Sequence, residues 1–101
     1  MDVAFSASGL MEELNGLLES HDFEGAEELL SQGIGAAPER LQGFFHYQYG
    51  RVYTRWNKLT SAVNHLTKAA ELAHAAGDEL FLIQVADELR SAKSKQAAQM
   101  P

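Results

Sequence analysis

The chain has 101 residues, no cysteine and a net charge of −6, with 46% hydrophobic and 22% charged residues. That is the composition of one soluble globular domain, and the missing cysteine excludes a disulfide framework, a thiolate zinc site and a cysteine nucleophile. Residues Met1 to Ser6 show no basic stretch ahead of an apolar run, and nowhere do eighteen apolar residues follow one another, so neither a secretory signal nor a membrane span is expected and a cytoplasmic location is.

Charge is distributed in blocks. Residues 1–39 carry nine acids and no lysine or arginine, whereas residues 40–70 carry Arg40, Arg51, Arg55, Lys58 and Lys68 and no acid. Two readings follow: the blocks attract each other across neighbouring layers, which is the favoured one, or the middle block presents a basic strip to an acidic partner.

Taken in chain order, apolar residues recur at three- and four-residue spacing, which predicts helices throughout and no strand. Leu10, Leu14, Leu17 and Leu18 form one stripe and Phe23, Ala26, Leu29, Leu30 and Ile34 the next, with a tight turn at His21-Asp22 where Asp22 caps the second helix. Gly33, Gly35 and Pro38 are expected to end that helix. A longer helix is predicted from about Glu39 to Trp56, turning near Asn57 into a fourth over roughly 59–76. Gly77 terminates the fourth and Asp78 caps a fifth over about 79–95. Residues 1–7 and 96–101 are expected to be flexible tails around a helical domain spanning 8–95.

Shifting the chain by 36 residues superposes Leu14 on Gly50 and Ala86, Leu17 on Tyr53 and Leu89, Ala26 on Ala62, Leu30 on Leu66 and Gly33 on Ala69. Small residues at 26/62 and 33/69 suit close helix crossing, and the larger ones fill space between layers. The middle repeat reads Tyr49-Gly50-x2-Tyr53, then Ala62-x3-Leu66-x2-Ala69. The first reads Leu14-x2-Leu17, then Ala26-x3-Leu30-x2-Gly33, with Pro38 closing it. Over residues 8–95 this resembles the tetratricopeptide repeat pattern W-x2-L-G-x2-Y followed by A-x3-F-x2-A and a late proline, although Leu10 and His46 stand at the tryptophan position. The resemblance implies an all-α fold: a right-handed stack of antiparallel helical hairpins, about two repeats plus a C-terminal capping helix, five helices in all. It also implies a protein- or peptide-binding adaptor or chaperone-like module that holds its ligand in a concave groove.

In that register Tyr47, Arg51, Thr54 and Arg55 line the groove, flanked by Met11, Asn15, Leu18 and Glu19 on the first layer and by Ile83, Asp87 and Arg90 on the third. Tyr47, Arg51 and Arg55, one turn apart, would offer an aromatic platform and two forked guanidinium donors. Members that grip a C-terminal carboxylate place a lysine where Met11 stands and an asparagine where Arg51 stands, so the expected partner is an acidic or amphipathic internal peptide. The remaining aromatic stripe, Phe45, Tyr49, Val52, Tyr53 and Trp56, reads as core.

No catalytic constellation accompanies these residues. Glu71-x-x-His74 has metal-ligand spacing, but a second such motif is missing, and His74 reads as a helix-terminal residue. His21, His46 and His65 read as partner-satisfied or exposed side chains, and no nucleophile elbow, phosphate loop or dinucleotide fingerprint is present. Five bases beside nine acids oppose nucleic-acid binding, and no helix pairs a basic face with a bulky apolar one as membrane binding requires. No enzyme activity, metal or cofactor is expected. The alternative to an adaptor is an assembly module that forms homo-oligomers through an uncapped helical end face.

Overall fold

The computed structural model describes residues 7–99, and among these it contains five α-helices and no strand. The helices are α1 (Ala7–Glu19), α2 (Phe23–Ala36), α3 (Gln42–Arg55), α4 (Leu59–Ala76) and α5 (Glu79–Gln99), with a single 3₁₀ turn, Glu39–Leu41, ahead of α3. Consecutive helices pack on one another, most extensively α3 on α4 and α4 on α5, and α3 also touches α5. The expected N-terminal tail lies outside the described residues except for Ala7, which opens α1. At the other end α5 continues through 96–99, beyond the boundary expected at 95, and Gln96 and Gln99 donate to Thr60 and Asn57.

Three of the four connections are the same turn. His21, Asn57 and Gly77 have φ of 60°, 62° and 71°, and each is followed by a residue whose N–H returns to the carbonyl five positions back. Those bonds run from Asp22 to Leu17, from Lys58 to Tyr53 and from Asp78 to Ala73, at 2.8, 2.9 and 3.0 Å. Second bonds run from His21 to Leu18, from Asn57 to Thr54 and from Gly77 to His74, and left-handed backbone closed by such a pair satisfies carbonyls that a helix end otherwise leaves orphaned. His21 and Asn57 are 36 residues apart, so the first two turns repeat in the register of the apolar residues. Asp22 and Asp78 then cap α2 and α5 as expected, accepting from the N–H groups of Gly25 and Phe81.

The α2 to α3 connection differs from expectation. Gly33 and Gly35 do not end α2, which runs to Ala36, and α3 begins at Gln42 rather than Glu39. Gly33 stays helical because its bare backbone is needed: a Cβ there would stand 2.9 Å from the Phe45 ring. Phe45 is thereby fully buried beside Leu10, Leu14, Leu30 and Val52 in the core that α1, α2 and α3 share.

The second packing layer repeats the device. Ala26, Leu30, Ala62, Leu66 and Ala69 all have zero exposure, so the superposed positions carry the same structural role. A Cβ on Gly50 would lie 2.3 Å from Leu66 Cγ, which shows how closely α3 and α4 cross.

The charge blocks do not neutralise each other through ion pairs. Among the described residues the one salt bridge is Arg90 to Asp87, within α5 and largely solvent-exposed. Attraction between the acidic first layer and the basic middle segment therefore acts at longer range than a direct ion pair.

Candidate ligand-binding groove

By the 3.6-residue turn, α3 presents two opposite faces. Tyr49, Tyr53 and Trp56 share one, and Tyr47, Arg51 and Arg55 the other.

The first face is open. Between α2 and α4 lies a groove of about 1030 Å³, with Glu24, Glu27, Glu28 and Ser31 on the α2 side, His65 and Lys58 on the α4 side, and Tyr49, Tyr53 and Trp56 along its floor. These three rings, expected in the core, are only half buried, whereas Phe45 and Val52 of the same stripe are enclosed. They form a ladder: Tyr49 to Tyr53 and Tyr53 to Trp56 are each 6.1 Å apart, at 13° and 7° between planes, and Phe23 stacks on Trp56 at 5.8 Å. Offset stacking of this kind holds the floor rigid.

Two polar links fix the walls to the floor. Tyr53 Oη donates to Glu27 Oε2 at 2.5 Å, tying α3 to α2. Burial first, and then this bond to a carboxylate, raise the phenol far above its ordinary pKa, so Tyr53 remains a donor. His65 stacks on Tyr49 at 4.8 Å and Tyr53 at 5.4 Å, tying α3 to α4. His46 Nδ1 and His65 Nδ1 are 3.0 Å apart, so one ring donates to the other and the pair holds a single proton between these nitrogens. Burial is the main cause lowering both histidine pKa values, reinforced by Lys68 for His46 and by His46 for His65.

At the end of the groove Lys58 Nζ lies 3.5 Å from the centroid of the Trp56 ring. A cation over an indole face is attracted by the ring quadrupole.

The opposite face carries the residues expected to bind. Tyr47 packs edge-on against Phe81 at 5.5 Å, and Arg51 donates to Gln48 Oε1 at 2.7 Å. Burial raises the Tyr47 pKa, helped by the charges of Glu88 and Asp87 and opposed by Arg51, which places these α3 and α5 groups in one neighbourhood. Arg55 lines a hollow of about 460 Å³ with Leu18, Glu19 and Lys95. Met11 packs against the core, Asn15 is exposed, Ile83 is 58% exposed, and Asp87 and Arg90 pair with each other. Thr54 departs from its expected place, because it is buried and its hydroxyl donates to the Gly50 carbonyl at 2.7 Å. α1, expected to leave an apolar end face, exposes Glu12, Glu13, Asn15 and Glu19. Among the described residues the large exposed apolar ones are instead Leu80, at 80%, and Ile83, both on α5.

Among the described residues no group of three or more His, Asp or Glu is placed to share a metal ion, and no helix is long and apolar enough to cross a membrane. Glu71 and His74 are both exposed on α4. No family model, curated protein or solved structure matches the chain.

Proposed function

We propose that this chain is a non-catalytic protein- or peptide-binding module of the tetratricopeptide-like helical type, and that its ligand lies in the groove between α2 and α4. The observation that carries this reading is the ladder of Tyr49, Tyr53 and Trp56, left half open along a groove of about 1030 Å³. Tyrosine and tryptophan bring large contact area with few rotatable bonds and a polar tip, which is why such side chains anchor interfaces. A groove bordered by α2, α3 and α4 suits an extended or helical segment. Filling it with Ser31→Trp, on the exposed α2 wall, should leave the helical circular dichroism intact and abolish capture of partners; undiminished capture would count against the groove.

A second reading rests on Leu80 and Ile83. Leu80 lines a hollow of about 450 Å³ with Leu41, Phe44, Leu72 and Phe81, Ile83 follows three residues on along α5, and an exposed apolar surface of this kind suits self-association. Mass in solution across the micromolar range decides it: a strict monomer excludes the homo-oligomer.

A further inference from the structure

Resting on that reading of the groove, we infer that its ligand is a basic segment of a partner protein, whose lysine or arginine side chains lie against the Tyr49, Tyr53 and Trp56 ladder with their charge matched by Glu24, Glu27 and Glu28.

Charge complementarity points this way. Three carboxylates stand along the α2 wall, while Lys58 is the single lysine or arginine lining the groove. None of the three carboxylates is spent on an ion pair among the described residues; Glu27 accepts from Tyr53 and Glu28 accepts a long 3.5 Å bond from Gln32. The chain as a whole has the same sign, with a net charge of −6, and the acids concentrate in residues 1–39, which supply the α2 wall, while the floor and far wall come from the basic segment 40–70. Such a field attracts a cationic segment before contact, and it acts over roughly 8 Å at physiological ionic strength.

The floor suits the same ligand. Ring faces bind ammonium and guanidinium groups, guanidinium best because its planar fork stacks while still donating to carboxylates. The molecule already demonstrates the contact, with Lys58 resting 3.5 Å over Trp56. An incoming cation must share or displace that lysine, so Lys58 acts as a brake on a basic ligand and would act as an aid to an acidic one. The two ligand chemistries therefore predict opposite effects at one residue.

Trp56 is the single tryptophan in the sequence, so its fluorescence reports on the groove floor. Titrating the full chain with octa-arginine should change that emission, with an affinity that falls as salt is raised, while octa-glutamate should not. Glu24→Gln with Glu28→Gln should weaken octa-arginine by about fivefold. The pair Glu71→Gln with Glu79→Gln removes the same charge from exposed positions outside the groove and should shift the affinity by less than about twofold. Lys58→Met should tighten octa-arginine by about threefold. Equal loss in the groove and control pairs would mean general attraction to an acidic chain and would overturn the inference. Octa-glutamate binding that weakens on Lys58→Met would also overturn it while leaving the groove as the binding surface. If neither peptide moves the Trp56 emission and Ser31→Trp leaves partner capture unchanged, the groove reading itself fails.

Discussion

At the scale of single residues, His46 and His65 connect the groove to solution pH. Burial, with Lys68 acting on His46 and His46 acting on His65, holds both folded pKa values below the ordinary 6.5. In the unfolded chain both imidazoles take up protons near that ordinary value, whereas the folded chain resists until the pH is lower. Acidification through this interval therefore supplies protons to the unfolded state, so stability is intact above about pH 6.5 and is lost as the pH falls toward the depressed folded values. Thermal denaturation at pH 7.5, 6.0 and 5.0 should show the midpoint falling on the acid side. His46→Asn with His65→Asn should flatten the fall, and an equally steep fall in that variant would assign it elsewhere. The pairing itself was hidden in the sequence, because the two histidines are 19 residues apart on different helices.

Helix by helix, the periodic residues were the most legible feature of the chain. Ala26 and Ala62, Leu30 and Leu66 are fully buried in pairs, as a 36-residue repeat requires, and Asp22, Gly77 and Asp78 terminate or cap the helices that their chemistry suggests. Local chemistry misled at Gly33, where tertiary packing against Phe45 overrides the helix-weakening tendency of glycine, and at Gly35, which stays helical with open space around it. Gly50 shows the same override more strongly, since its missing Cβ is what lets α3 approach Leu66. Gly50→Ala should therefore destabilise the fold by about 1 to 3 kcal/mol despite the better helix propensity of alanine, because a methyl forced into a closed crossing displaces its neighbours. Urea denaturation measures this directly, and a stabilised variant would show that the α3 to α4 crossing is looser than described.

Across the whole molecule, the site was less legible than the fold. Tyr49, Tyr53 and Trp56 occur at the spacing of a buried stripe, and nothing in that spacing distinguishes a ring enclosed by neighbours from one bordering a gap between α2 and α4. The half-open ladder is a property of how two non-adjacent helices are held apart, so it emerges only when the hairpins are assembled. Charge blocks behaved likewise: their asymmetry was plain, but whether the acids faced bases or solvent depended on which helices became neighbours. Of the residues expected to bind on the opposite face, Leu18, Glu19 and Arg55 border one hollow and Tyr47, Arg51 and Asp87 share a neighbourhood, while Thr54 is enclosed. The molecule thus offers two faces of α3, of which the one bearing the aromatic ladder has the larger groove and carboxylates that form no ion pair among the described residues. Partner capture compared between Ser31→Trp, which fills the α2 to α4 groove, and Asn15→Trp, on exposed α1, separates them most directly. Capture lost in the first variant and retained in the second is the predicted result; the reverse would move the binding site to the opposite face and contradict the account.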